Sequence, residues 1–351
     1  MKRLLLPISL LYSFVLFLRH KLYDWNILKS KSYDTPNICV GNLNLGGTGK
    51  TPHIEYLIRL LSEKYNVAVL SRGYGRNTKG FVMAEENHSY LDIGDEPLQY
   101  ITKFKDIKVA VDESRCDGMD RLLQEKNPPQ IVLLDDAYQH RKIKPGLNVL
   151  LTDYYDLYSD SYLVPAGNLR DIKKASQRAD IIVVTKSPNV ITPYNRRDVE
   201  NKLKPLPHQK IFYSYIEYLD FKPLSKLSYE TDIKEAKTVL LLCGIANTYP
   251  LEDYLKRKYN TISKVKFSDH HSFTEKDIDI IIEKYNSLIG KSKVIITTEK
   301  DAMRLINSSY IEKFDNIPIY TIPIKIKFHK EEGNSFDDEI LNYINSNSND
   351  I

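Results

Sequence analysis

Lys50 and Thr51 close the stretch GNLNLGGTGKTP at positions 41 to 52, whose residue types are those that hold phosphate. Gly46, Gly47 and Gly49 let the backbone turn its N–H groups inward, and a following helix adds its positive end. Asn44, Leu45, Gly46, Gly47, Thr48 and Gly49 are therefore expected to cradle a di- or triphosphate. Lys50 would reach the β- and γ-phosphates, and Thr51 would ligate Mg²⁺. The general pattern G-x-x-x-x-G-K-S/T has glycine where this chain has Asn44, so a plain glycine-rich turn stays open on the pattern alone. The setting favours phosphate: Ile38, Cys39 and Val40 read as a buried strand, and Pro52 suits the first turn of a helix with Ile54, Leu57, Ile58 and Leu61 on its apolar face.

Other segments carry groups that would complement a bound phosphate. IVLLDD, Ile131 to Asp136, reads as a buried strand ending in two carboxylates, of which one can hold Mg²⁺ and the other orient a ligand. The same pair also occurs as an ordinary turn and cap. DIGDEP offers Asp95 and Glu96 just before a helix, equally readable as functional carboxylates or as helix-start residues. SRGYGR puts Arg72 and Arg76 on a glycine-flexed loop at a strand's C-terminal end, where open α/β sheets bind ligands, although a solvated basic loop has the same composition. Arg115 follows another strand and could stabilise a transferring phosphate. FSDHHSF sets His270 and His271 after a strand and before an expected capping box, Ser272 to Glu275. Two adjacent histidines with one Asp make a poor metal set; they could tune a carboxylate base or simply lie on a surface loop. TTEKDAMRL, 297 to 305, closes a further strand with charge that could face the same cleft.

The elements that must position these groups alternate apolar runs with helical stretches, the pattern of an α/β fold with a mostly parallel sheet covered by helices on both faces. Strands are expected at Ile38–Val40, Val67–Leu70, Val109–Val111, Ile131–Leu134, Val149–Leu151 and Ile181–Val184. IFYSYIEYLDFKPL near 210 and IPIYTIPIKIKF at 317 to 328 are aromatic-rich or alternating and could pair as a ribbon. The expected organisation is an N-terminal helix (1–24), a P-loop NTPase-like core (25–209, with a return over 329–351), a two-stranded β hinge (210–225 and 316–328) and a smaller α/β lobe (226–315).

Composition excludes several classes. With 42% hydrophobic residues the chain is not disordered, and its +4 charge, from 50 basic and 46 acidic residues, does not indicate a nucleic-acid partner. Cys39, Cys116 and Cys243 are scattered and odd in number, which suits neither a disulfide framework nor a zinc site. Leu4 to Leu18 is apolar and flanked by Lys2, Arg3, Arg19, His20 and Lys21. It is short of the ~20 residues of a spanning helix and no small-residue cleavage site follows, so an interfacial helix fits its length and flanks, with a buried core helix as the plain alternative.

Taken in order behind that helix, GNLNLGGTGKTP, SRGYGR, GDEP, VAVDESR, LLDDAYQHR, PAGNLRD, FSDHH and TTEKDA resemble the tetraacyldisaccharide 4'-kinases, lipid A pathway kinases of Gram-negative bacteria. The resemblance implies ATP- and Mg²⁺-dependent phosphorylation of the 4'-hydroxyl of tetraacyldisaccharide 1-phosphate, giving lipid IVA, by a monomer at the cytoplasmic face of the inner membrane. It also implies Asp95 as the base, a histidine of the pair His270 and His271 as its helper (His271 favoured), Arg115 on phosphate, Asp135 and Asp136 with Thr51 at the metal, and Arg72, Arg76 and Arg170 on substrate. Asp171 replaces a glutamate of the family motif and is one methylene shorter. The family's own phosphate loop also lacks the glycine that Asn44 replaces.

Two other activities fit the phosphate loop alone: a GTPase switch and a kinase of another small hydroxylated substrate. A guanine-specifying N/T-K-x-D loop is approached only by Thr185, Lys186, Ser187 and Pro188, with proline in place of the aspartate.

Overall fold

The computed structural model of the protein describes residues 2–245, 247–269, 271–290, 292–306, 310–329 and 332–347. The chain opens with α1 (Leu6–Asp24), β1 (Asn37–Asn42), α2 (Lys50–Leu61), β2 (Val67–Ser71) and β3 (Val82–Met83). It continues through α3 (Tyr90–Ile93), α4 (Asp95–Lys103), β4 (Lys108–Val111), α5 (Arg115–Leu123), β5 (Ile131–Asp135), β6 (Leu147–Asp153), β7 (Ile181–Thr185), α6 (Pro193–Leu203) and β8 (Lys210–Tyr218). The second part holds β9 (Lys222–Pro223), β10 (Thr238–Cys243), α7 (Tyr249–Lys256), β11 (Thr261–Lys266), α8 (Glu275–Ser287), β12 (Lys293–Thr298) and α9 (Glu299–Ile306). The chain then returns through β13 (Ile319–Ile322), β14 (Ile324–Phe328) and α10 (Glu332–Asn347).

Nine strands form the large sheet in the order β14-β8-β7-β6-β1-β5-β2-β4-β3. The seven inner strands are parallel, and β3 and β14 close the two edges antiparallel. β1 is buried at every position because helices cover both faces. Ile38 and Val40 point to the side of α2 and α10, where Ile54, Leu57, Ile58, Phe336, Ile340 and Ile344 pack. Cys39 points the other way, toward Leu134, Met119 and Tyr138. Each such buried aliphatic side chain contributes about 1.5–3 kcal/mol, so the strand carrying the phosphate loop is firmly held.

The smaller sheet runs β11-β10-β12-β13-β9, parallel except for β9 on β13. The apolar run 317–328, read from sequence as one strand, is two: Pro323 separates β13, in the small sheet, from β14, which pairs antiparallel with β8 in the large one. Proline lacks the N–H that would continue a ladder, so the chain changes sheets there. The expected ribbon is the β8–β14 pair, with Tyr218 opposite Ile324 and Ser214 opposite Phe328. A second difference lies at α8, whose capping box is Thr274 with Asp277, not Ser272 with Glu275. Phe273 and Ile278 share the lobe's core, so an apolar staple across the cap sets where this helix begins.

No helix among the described residues is long and apolar enough to cross a membrane. α1 lies against the core with Ser9, Leu16, His20 and Tyr23 buried, while Ile8, Leu10, Leu11, Phe14 and Val15 are exposed. It is pinned at two places. Ser9 Oγ donates to the Leu163 carbonyl at 2.9 Å and accepts from the Ala166 N–H at 3.0 Å. His20 Nε2 meets the fully buried carboxylate of Asp171 at 2.6 Å, which Arg178 also approaches at 3.5 Å.

Replacing His20 with alanine leaves the Asp171 carboxylate short of a partner in a buried site, a change that costs about 2–3 kcal/mol. A lower urea midpoint and faster tryptic cleavage at Arg19 and Lys21 are the expected outcome. An unchanged midpoint would mean that α1 is held without this pair.

Candidate active site

β1 ends in the crevice between β5 and β6, at the C-terminal edge of the parallel strands, and the phosphate loop leaves it there. Gly49 precedes α2 with φ at 91°, a left-handed conformation that glycine adopts without a Cβ clash. Asn44, at the position of the missing glycine, is buried and donates to the Asp156 carbonyl and carboxylate at 3.1 and 3.2 Å. It thus anchors the loop from outside instead of turning it. Thr185 Oγ1 donates to the Thr48 carbonyl at 2.8 Å, and Lys186 Nζ donates to the Gly47 carbonyl at 2.5 Å and pairs with Asp153 at 2.8 Å. The segment that fails as a guanine-specifying loop therefore braces the phosphate loop, a role its sequence did not announce.

Lys50 Nζ lies 3.4 Å from Asn42 Oδ1 and 3.6 Å from Asp136 Oδ2. Asp136 has left-handed backbone (φ 48°), and Arg170 grips its carboxylate with both Nη atoms, one at 2.9 Å. Burial would raise the Asp136 pKa, but Lys50 and Arg170 outweigh it and hold this carboxyl well below the usual range. Its neighbour Asp135 is fully buried, with Ser71 Oγ at 3.2 Å and the Tyr100 hydroxyl at 3.3 Å on Oδ2. Burial, followed by the charges of Glu96 and Asp136, pushes Asp135 up to about 7. Two carboxylates side by side on one strand end are thus driven in opposite directions.

Arg115, the first residue of α5, is 2% exposed and folds beneath this pair, donating to the carbonyls of Asp112 at 2.6 Å and Asp135 at 3.1 Å. Arg72 is exposed and forms no ion pair among the described residues. Arg76 is held internally, by Glu113 at 2.8 Å and the Gly80 carbonyl at 2.6 Å. The loop bearing both arginines touches the start of α4. A Cβ on Gly94 would lie 3.0 Å from the Gly73 Cα, so these two backbones approach as only glycines allow. That approach brings SRGYGR and GDEP together.

α4 begins at Asp95, with Gly94 as its N-cap. Thr51 Oγ1 donates to Glu96 Oε1 at 3.1 Å, which links the phosphate loop to this helix. Asp95 is 4% exposed, accepts from the Glu96 N–H at 3.0 Å on Oδ1, and is paired through Oδ2 with Arg304 of α9. Lys300 of α9 stands 3.8 Å from Asp95, 3.4 Å from Glu96 and 3.7 Å from Asp269. Lys103 adds a further bridge from α4, to Glu55 of α2 at 2.8 Å and to Glu299 of α9 at 2.7 Å. Of the charged run 299–304, Glu299 and Lys300 line the cleft, while Asp301 and Arg304 are buried beside it. The run's partners Glu55 and Lys103 carried no sequence signal, being acid and base on ordinary helical positions. His271 hydrogen-bonds Asp277 at 3.0 Å and stacks on Phe267 at 4.6 Å; His270 lies outside the described residues. Asp171 is occupied by His20 and Arg178, so it does not join the Asp136 cluster.

A cleft opens between the phosphate loop and the small lobe. Its polar end holds Lys50, Thr51, Glu96 and Lys300, and its apolar end is lined by Ile216, Tyr218, Ile245, Leu251, Ile322 and Ile324. A phosphate cradle joined to an apolar slot is the form of a nucleotide site. Mg²⁺ fits beside it on one observation: Asp135 Oδ1 is buried and has no hydrogen-bond partner. Among the described residues no cluster of three or more His, Cys, Asp or Glu could hold a metal by itself, but this ion takes one or two carboxylates plus phosphate oxygens and water.

Fold and site together define a two-lobed phosphotransferase of the P-loop type. The model of the tetraacyldisaccharide-1-P 4'-kinase family matches residues 1–345. The tetraacyldisaccharide 4'-kinase of Bacteroides thetaiotaomicron is 42% identical over 355 residues, covering 98% of this chain and 93% of that protein. That of Flavobacterium johnsoniae is 44% identical over 348 residues, covering 99% and 98%. The crystal structure of the "apo" form of LpxK from Aquifex aeolicus in complex with ATP superposes with a TM-score of 0.72 at 28% identity, over 98% of this chain and 99% of that one. The chain belongs to the tetraacyldisaccharide-1-P 4'-kinase family, the kinases of lipid A biosynthesis.

The raised Asp135 pKa makes stability depend on pH in a stated direction. Unfolded, this carboxyl ionises near 4; folded, near 7, so the native state binds the extra proton and loses stability as pH rises from about 4 to 7. Asp135→Asn removes that penalty. In metal-free buffer the variant is expected to gain on the order of 2 kcal/mol over wild type at pH 8 and little at pH 4, as read from urea midpoints. Equal midpoints at both pH values would show that Asp135 ionises normally.

Proposed function

We propose that the chain transfers the γ-phosphate of ATP to the 4'-hydroxyl of tetraacyldisaccharide 1-phosphate, giving lipid IVA, with the site residues acting as follows. The observation that carries the reading is the link from the phosphate loop through Thr51 and Glu96 to Asp95, which puts an acceptor-side carboxylate one residue from a group touching the loop. The loop and Lys50 bind the β- and γ-phosphates, and the apolar slot between the β8–β14 pair and the small lobe takes the nucleoside. Thr51, Asp135 and Asp136 would hold Mg²⁺, which when bound neutralises phosphate charge.

Asp95 takes the proton of the sugar hydroxyl as that oxygen attacks phosphorus in line, and ADP leaves. Arg304 and Lys300 hold its carboxylate in place from the small lobe, so the orientation of the base depends on the lobes being together. The same lobe carries the histidine pair beside Asp269, which shares Lys300 with Asp95; this supports a helper role for His270 or His271 delivered from that side. Arg72, exposed on the acceptor side, binds substrate phosphate, and Arg170 fixes Asp136. Arg115 acts through its charge beneath the two carboxylates and Arg76 by shaping the loop that presents Arg72. The exposed apolar face of α1 lies in the cytoplasmic surface of the inner membrane, where a monomer meets its acylated substrate.

Two experiments test this. With Mg²⁺, radiolabelled ATP and the disaccharide 1-phosphate lipid, wild type should label the lipid, Lys50→Ala should lose roughly 10²–10³-fold in turnover, and Asp95→Asn at least about 10²-fold. Absence of label with wild type rejects the activity, whereas full turnover by Asp95→Asn rejects only the base. Separately, Leu10→Ser, Leu11→Ser and Phe14→Ser combined should abolish flotation with phospholipid vesicles while leaving the melting temperature within a few degrees, since all three side chains are exposed. Undiminished flotation rejects α1 as the membrane contact.

A further inference from the structure

At the foot of α1 a second hollow opens, and no residue of the phosphate loop lines it. Phe17, Lys21 and Asp24 of α1 face Arg141, Lys174 and Arg178 across it. Two of the four cations are engaged. Arg141 holds Asp24 through both Nη atoms at 3.0 Å, and Arg178 lies over the Tyr138 ring at 4.5 Å with Asp171 at 3.5 Å. The Arg178 Nε is buried without a hydrogen-bond partner. Lys21 and Lys174 form no ion pair among the described residues, and the Lys21 ammonium lies over the rings of Phe17 and Trp25, at 5.9 and 6.0 Å. Against Asp24 and Asp171, these four cations leave an excess of two positive charges.

The placement of the hollow decides what such an excess would meet. The exposed apolar face of α1 runs through Leu10, Leu11, Phe14 and Leu18, and the hollow begins where that face ends, with exposed Trp25 just beyond. A helix lying with this face among acyl chains sets its basic end and a tryptophan at headgroup depth, where an anionic lipid presents phosphate. We propose that the hollow binds the phosphate headgroup of an anionic membrane lipid, with Lys21 and Lys174 as its donors. The site rests on the interfacial reading of α1 given above and adds a lipid-selective contact to it. It differs from the nucleotide cradle in kind: its donors are side chains, with no glycine loop behind them.

The test measures binding of the full chain to vesicles of phosphatidylcholine alone and of phosphatidylcholine with phosphatidylglycerol. Wild type should bind the anionic vesicles at least about ten-fold more tightly, since a lysine near an anionic surface contributes about five-fold. Lys21→Ala with Lys174→Ala should erase that gain, keep wild-type binding to neutral vesicles and keep kinase turnover in detergent. The proposal is overturned if the double variant retains the anionic preference. It is equally overturned if Lys142→Ala with Lys144→Ala, two exposed lysines that follow Arg141 in the chain but do not line the hollow, loses as much, because the effect is then a diffuse field. Saturable binding of inorganic phosphate alone below about 1 mM, lost in the Lys21 and Lys174 variant, would assign the hollow to a soluble anion and reject the lipid. Neutral binding without anionic gain sinks the hollow only; no binding to either vesicle sinks the interfacial reading as well.

Discussion

Two adjacent aspartates at the end of one buried strand cannot both carry charge unless cations stand close, and much of the molecule is arranged to supply them. Asp136 is given Lys50 from the phosphate loop and Arg170 from the segment after β6. Asp135 is left with hydroxyl donors from Ser71 and Tyr100 and one oxygen unpaired. Arg115 is driven under both, at a desolvation cost that lowers its own pKa. The division keeps Asp136 ionised against its cations and leaves Asp135 buried with its pKa raised.

The second constraint acts between the lobes. Asp95, Glu96 and Glu55 belong to the core, while Lys300, Arg304 and Glu299 belong to α9, and Lys103 is shared between acids on both sides. Buried pairs of this kind add little net stability but are costly to break singly, which makes them good determinants of geometry. The contact between α4 and α9 is therefore specific in register: a small-lobe shift of one helical turn would leave several charges unpaired at once.

Local features were legible from sequence, and partnerships were not. The strand, glycine loop and helix from Ile38 to Leu61, the strand ending in Asp135 and Asp136, and the alternating order of both sheets follow from periodicity and turn chemistry within a short window. The split at Pro323 escaped because both halves are apolar and alternate alike, and only the partner strand tells them apart. The pairing of His20 with Asp171 spans 151 positions and that of Arg304 with Asp95 spans 209, and no spacing rule reaches so far. The two arginines of SRGYGR are alike in sequence. Which one is captured by Glu113 depends on how closely Gly73 and Gly94 approach. His271 read as a loop residue with no partner in view, yet its Nε2 is bonded to Asp277, which also caps α8.

The crossing between the sheets has a mechanical consequence. The return strand passes from the small sheet to the large one across the single residue Pro323, whose carbonyl accepts the Leu219 N–H at 2.9 Å, while the outgoing strand crosses through 219–221. The small lobe thus hangs on two adjacent, oppositely running tethers tied to each other at the crossing point. Such a mount resists sliding and twisting but yields to bending about the line joining the tethers, like a leaf on a strap hinge. Lengthening either tether would free the other motions, so changes in chain length are better tolerated almost anywhere on the lobe's surface than in these few residues.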